Sequence, residues 1–154
     1  MTKAMTEVAF YHLTRSTLEQ ALPKLLEKTL AVGKRAVVRV ASGQRAEDLN
    51  VALWTYEPAS WLPHGSAQDG VGEDQPVWLT DGDDNPGQAS FVFLTDGVTQ
   101  DDLSAFERAF VLFDGISPEA MSGARAQWKT FKNQGLALTY WQQTDSGGWQ
   151  KKEV

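Results

Sequence analysis

Arg125, Trp128, Lys129 and Lys132 are spaced i, i+3, i+4 and i+7 near the end of the chain. On a helix that spacing gathers them into one stripe, three cations around an aromatic ring. The surrounding run, A-R-A-Q-W-K-T-F-K-N-Q-G from Ala124 to Gly135, contains no acid, and no Asp or Glu occurs between Glu119 and Asp145. The chain as a whole is nonetheless acidic, with a formal net charge of -6. Such a stripe suits an anionic partner that also brings a flat or apolar group. One class is single-stranded nucleic acid, with phosphates on the cations and a base stacked on the Trp. The other is an acidic peptide ending in apolar residues. Its carboxylates would meet Arg and Lys while an apolar side chain enters a pocket beside the Trp. Net charge favours the peptide, because a short ligand senses the local patch within a screening length of roughly 8–10 Å. The plain alternative makes Trp128 a core residue at the face boundary and the cations ordinary solubilising residues.

Other chemistry finds little support. The chain has no cysteine, which excludes disulfides, thiol catalysis and Cys-based zinc sites. Its two histidines, His12 and His64, lack a second ligand at metal spacing. Asp81, Asp83 and Asn85 imitate the start of a calcium loop, but Pro86 stands where glycine is required and Val92 where Glu is required. Neither a G-x-S-x-G nucleophile elbow nor a G-x-x-x-x-G-K-[ST] phosphate loop occurs. No catalytic site, cofactor or metal is expected.

The elements that would position the stripe follow from hydrophobic periodicity. Val8 to Leu13 reads as a strand, followed by a helix capped by Ser16 or Thr17, with Leu18, Leu22, Leu25, Leu26 and Leu30 at helical spacing and Gly33 as its stop. Ala36 to Val40 is a buried strand, and a second helix runs from Ser42-Gly43 to about Thr55. Glu57 to Gly65, with two prolines, is a loop. Pro76 to Thr80 and Ser90 to Thr95 are strands separated by the turn-rich D-G-D-D-N-P-G, and Phe106 to Phe113 fits helix or strand. Ser117-Pro118-Glu119 opens the helix that carries the stripe, and Leu136 to Gln142 is a last strand. Strands alternating with helices predict one α/β domain over residues 1–154, a largely parallel sheet in a Rossmann-like arrangement. The turn after the first strand, H-L-T-R-S-T, has no glycine, so the nucleotide-binding loop is missing.

A chain of 154 residues is large enough to bury roughly 70% of its unfolded surface without staples. No apolar run approaches the ~20 residues of a membrane span, and the start lacks a signal-peptide pattern, so a cytoplasmic location is expected. Ser66 to Asp102 contains nine acids and no Lys or Arg, so an acidic zone precedes the basic helix.

Several stretches together resemble a known family. L-W-T-Y-E-P-A-S-W-L-P-H-G, Leu53 to Gly65, is similar to the segment of chi subunits of bacterial DNA polymerase III that runs from an L-W pair to [FW]-[VL]-P-H. Ala124 to Gly135 is similar to the family's late helix, A-R-x-x-[YW]-K-x-[YF]-[RK]-x-x-G, and the opening F-Y-H-L resembles its first strand. The resemblance implies a replication adaptor with a Rossmann-like fold and no nucleotide site. Its late helix would bind the acidic C-terminal tail of single-stranded DNA-binding protein through Arg125, Trp128 and Lys129, so contact with nucleic acid is mainly indirect. Where some members carry a further lysine one turn before the arginine, this chain has Met121, and Lys132 is the cation left to compensate. The resemblance also implies a second surface, formed by Trp54, Trp61 and Pro63, for the psi subunit of the clamp loader or a helicase.

Overall fold

The computed structural model describes residues 6–55, 65–66, 75–100, 103–146 and 148–152, the side chains of 54, 55 and 65 excepted. Eight strands form one sheet: β1 (Glu7–Leu13), β2 (Ala36–Arg39), β3 (Gly65–Ser66), β4 (Val77–Thr80), β5 (Phe91–Leu94), β6 (Arg108–Asp114), β7 (Ala137–Gln143) and β8 (Trp149–Lys152). Among the described residues three helices pack on it: α1 (Leu18–Ala31), α2 (Gly43–Thr55) and α3 (Pro118–Asn133). The strand order is β3-β4-β2-β5-β6-β1-β7-β8, and every pairing is parallel except β7 with β8. The α/β class expected from the alternation of strands and helices is observed.

The central strands are buried on both faces, as parallel strands must be when helices cover the sheet. Val37, Val38, Leu79, Val92 and Phe93 are fully buried. One core lies on the α1 and α2 side, where Leu22, Leu26 and Leu49 meet Val38, Leu79 and Phe93. The other lies on the α3 side, where Phe131 and Ala124 meet Val8, Phe10 and Val111. The ambiguous Phe106 to Phe113 run is strand β6, pinned between β5 and β1. Its Val111, Leu112 and Phe113 alternate between the two cores, which a one-sided helix would not do.

Three details depart from simple alternation. β4 and β5 both pair with β2, and the connection between them holds turns rather than a helix. That connection is organised by Arg39, only 4% exposed, whose guanidinium donates to the carbonyls of Gly82, Asp83 and Asp84 and to Gln100 Oε1. Asp84 in turn accepts from Trp78 Nε1 at 2.9 Å and is hydrogen-bonded to the Thr80 hydroxyl. Part of the acidic zone is therefore a built turn rather than a solvated loop, and Asn85 closes it by bonding both backbone groups of Ala89. Second, Pro23 sits inside α1 and is buried. Third, Leu136 to Gln142 is not the last strand: the Thr144 amide donates to the Gly148 carbonyl at 2.8 Å and the chain returns as β8 on the sheet edge. The helix stops fall where expected, with Gly33 and Gly135 at φ 76 and 79.

Candidate functional site

The basic stripe lies on α3. Ser117 caps the helix by accepting from the Ala120 amide at 3.2 Å, Pro118 takes the first helical position and Glu119 faces the positive end of the dipole. Ala124, Gln127 and Phe131 turn inward, and Gln127 Nε2 donates to the Val98 carbonyl at 2.9 Å. Arg125, Lys129 and Lys132 are exposed, as the helical spacing required. Trp128 sits between these faces, half-buried. Its ring meets Phe10 edge-on at 5.1 Å and Tyr140 at 6.1 Å. The boundary position and the stripe position are thus both real: the indole packs against the core on the α3 side and is still partly exposed.

A groove of about 400 Å³ opens beside this ring. Phe10, Phe113, Met121 and Ala124 supply apolar lining, Trp128 and Tyr140 aromatic lining, and Arg125, Gln142 and Lys152 polar groups. The sheet register explains the arrangement. Val111, Phe10, Tyr140 and Lys152 are successive partners across β6, β1, β7 and β8, and therefore share the face beneath α3. The next same-face row is Phe113, His12, Gln142 and Gln150.

The electrostatics are one-sided. Arg15, Lys24, Lys34, Arg45 and Arg108 each lie within ion-pairing distance of a carboxylate. Among the described residues Arg125, Lys129, Lys132, Lys151 and Lys152 have no such partner. Lys28 has none either, but it sits in the last turn of α1, where a cation offsets the helix dipole. Beneath the groove the Tyr140 hydroxyl lies 2.6 Å from His12 Nδ1. Burial holds the Tyr140 phenol above its ordinary pKa, against the opposing pull of Arg125. Burial pulls His12 below 6.5, opposed by a hydrogen bond with the Gly115 backbone and by the Asp114 charge. At neutral pH both groups are uncharged, and the hydrogen bond between them fixes the groove wall.

A second cleft, about 510 Å³, lies at the carboxyl ends of the strands, where open α/β sheets hold nucleotides. Here the turn between β1 and α1 is filled from within. Gln143 Oε1 accepts from the amides of Thr14, Arg15 and Ser16 at 3.2, 2.8 and 3.0 Å. The Thr17 amide donates to Gln20 Oε1 at 3.0 Å. The backbone donors that could cradle a phosphate are already bonded to two side-chain amides. Arg45, across the cleft, is held by Glu19 and Asp96, which raise its pKa further against the effect of burial.

Of the residues singled out from sequence, the groove brings together Arg125 and Trp128; Lys129 and Lys132 share the helix surface but do not line it. Trp54 belongs to α2, its side chain outside the described residues, and Trp61 and Pro63 lie outside them altogether. Phe10, Tyr140 and Lys152 were missed. Strand alternation through Tyr140 and Gln142, and the S-G-G turn before W-Q-K-K, were the signals that pointed to them. Among the described residues no cluster of metal-binding side chains occurs and no helix is long and apolar enough to cross a membrane.

Comparison with known proteins bears on the same elements. The family model described as DNA polymerase III chi subunit, HolC, matches residues 5–139. A probable DNA polymerase III subunit chi from Rickettsia prowazekii (strain Madrid E) is 32% identical over 92 residues, 60% of this chain and 56% of that protein. This chain thus spans a little over half the length of the relative it matches. The family match contains α3 whole and ends at residue 139, short of the rest of β7 and of β8.

Proposed function

The chain belongs to the DNA polymerase III chi subunit family, accessory subunits of a replicative polymerase, and from that premise we propose that it is a non-catalytic adaptor for single-stranded DNA-binding protein. The acidic C-terminal tail of that protein lies along α3, its terminal apolar side chain in the groove beside Trp128 and its carboxylates on Arg125 and the neighbouring lysines. One observation carries this reading. Cations without a carboxylate partner border an apolar, aromatic-walled groove on a protein whose net charge is -6. The groove volume lies within the roughly 300–1,000 Å³ of small-ligand pockets, enough to bury an anchor side chain. Exposed cations next to it attract carboxylates without first having to break an internal ion pair. A second surface around Trp54, Trp61 and Pro63 links the adaptor to the clamp loader through psi, or to a helicase.

Titration calorimetry of this chain against intact single-stranded DNA-binding protein, and against the same protein without its last residues, tests the proposal. Binding in the micromolar range, about 8 kcal/mol, that weakens with salt and disappears with the tail is expected. Equal binding to both forms overturns it. Tight binding to a bare oligonucleotide, with no binding protein present, would replace it with direct nucleic-acid recognition.

A further inference from the structure

We infer that Lys152, on the returning edge strand β8, is an anion-binding residue of the α3 groove and supplies from the sheet the positive charge that Met121 does not supply from the helix. The inference rests on the tail-binding reading and assigns a residue to it.

Three observations carry it. Lys152 lines the groove together with Arg125 and Trp128. Its register fixes the side: Lys152 is paired with Tyr140, which is paired with Phe10, so all three face α3. Its neighbour Lys151 is paired with Trp141, on the opposite face of the sheet. Finally, Lys152 has no carboxylate partner among the described residues, unlike Arg15, which Asp145 holds at 2.9 Å.

On α3, Met121 lies one turn before Arg125 and also lines the groove, where it adds apolar surface and no charge. Lys132 lies two turns after Arg125 and is outside the lining. The helix alone therefore offers the groove a single cation, Arg125. β8 adds the other from the sheet side. An extended acidic peptide with its apolar end on Phe10 and Trp128 then has a cation on each side of its path. Residues 140–152 lie beyond the family match, so this wall is not implied by membership of the family.

The test uses the full chain and a labelled acidic peptide ending in Pro-Phe with a free carboxylate, followed by fluorescence anisotropy at low salt. Lys152→Ala should weaken binding about five- to tenfold, the upper part of the range of one ordinary hydrogen bond. Lys151→Ala should change it less than about twofold, as for a rim charge that makes no contact. Lys152→Arg should restore binding, and Lys152→Ala should lower the salt dependence while Lys151→Ala leaves it unchanged. If wild-type chain binds and Arg125→Ala abolishes binding, but Lys152→Ala matches Lys151→Ala, this inference is wrong and the tail-binding reading stands. If the wild-type chain does not bind the peptide, both fall together. Thermal melts of both alanine variants confirm that β8 remains in place.

Discussion

Gln143 and Ser16 are joined twice: Gln143 Oε1 accepts from the Ser16 amide at 3.0 Å, and Gln143 Nε2 donates to Ser16 Oγ at 2.6 Å. Together with the amides of Thr14 and Arg15, this ties the end of β7 to the turn that starts α1. The Thr14 hydroxyl completes the tie by donating to the Gln143 carbonyl at 2.9 Å. In a nucleotide-binding sheet these amides face the ligand; here they position the strand that carries the groove wall. The same residue that fills the ligand position therefore holds Tyr140, three residues earlier, in register with Phe10.

Gln143→Ala should accordingly destabilise the fold without abolishing peptide binding. Three amides lose their acceptor at a site that water reaches only in part, so a loss of about 2–3 kcal/mol is expected. That corresponds to a melting point lower by roughly 5–10 °C. Calorimetry would measure it. A melting point unchanged from wild type would mean that the turn is held by other contacts.

Much of this architecture was legible because the chain signals are local. Ser117-Pro118-Glu119 and Gly135 bracket α3 by capping and stop chemistry alone, and β1, β2 and α1 follow from their apolar periods. β6 was ambiguous because Val111, Leu112 and Phe113 serve two cores, and a run buried on both faces has no period to read. The groove was half legible. Helical spacing placed Arg125 and Trp128 side by side, but Phe10, Tyr140 and Lys152 join them only through strand order, with β1 between β6 and β7 and β8 beyond. Nothing local in F-Y-H-L indicates that Phe10 will lie under Trp128.

Trp128 is placed to serve both stability and binding, and two substitutions separate these roles. Trp128→Ala removes the edge contact to Phe10 and should cost about 2 kcal/mol, less than a fully buried Trp because the ring is only partly buried. It should also weaken tail binding by more than about tenfold. Trp128→Tyr keeps an aromatic ring over Phe10 and should retain most of both. Peptide titration and thermal melts of the two variants check this; full binding by Trp128→Ala would remove the ring from the site.

Charge reversal along α3 should produce an ordered series. Arg125 lines the groove, whereas Lys129 and Lys132 only border it. Arg125→Glu should therefore reduce affinity most, by at least about twentyfold, with Lys129→Glu and Lys132→Glu closer to about threefold. Lys34 is paired with Glu107 at 2.9 Å and does not line the groove, and Lys34→Glu should leave tail affinity within about twofold. Equal losses for Lys34 and Arg125 would indicate a general field effect rather than a site.

His12 should give the fold a specific response to mild acid. Its pKa is lowered by burial, so the unfolded chain takes up a proton more readily than the folded one. Stability is therefore fully present above the ordinary value of 6.5 and is lost as pH falls from there through the lowered folded value. Glu19 and Asp84 act lower. Burial opposes their ionisation, but hydrogen bonds from Arg45 and from Thr80 and Trp78 outweigh it, so their contributions fade only below the ordinary carboxyl values of 4.5 and 3.8. Protonated His12 can only donate at Nδ1, so the Tyr140 phenol must then be the acceptor, and groove geometry and stability should change together. Melting points between pH 7.5 and 5 should fall in wild type and fall less in His12→Gln. Parallel slopes in the two proteins would exclude His12 as the source.

Gly115 and Gly123 should respond to alanine in opposite directions. A Cβ on Gly115 would stand 2.1 Å from His12 Nε2 and 2.6 Å from the Leu13 carbonyl oxygen. The imidazole can swing away only by leaving Tyr140, and the carbonyl, which accepts from the Gly115 amide at 2.7 Å, can move only with β1. Gly115→Ala should therefore cost about 1–3 kcal/mol and weaken tail binding through the displaced Tyr140. Gly123 lies inside α3, and a Cβ there would meet nothing within 4 Å. Alanine at that position only removes the entropic cost of glycine in a helix, and Gly123→Ala should stabilise by about 0.5–1 kcal/mol with affinity unchanged. Denaturant titrations of the two variants, each paired with a peptide titration, measure both effects. A destabilised Gly115→Ala that binds the tail at wild-type strength would uncouple His12 and Tyr140 from the groove.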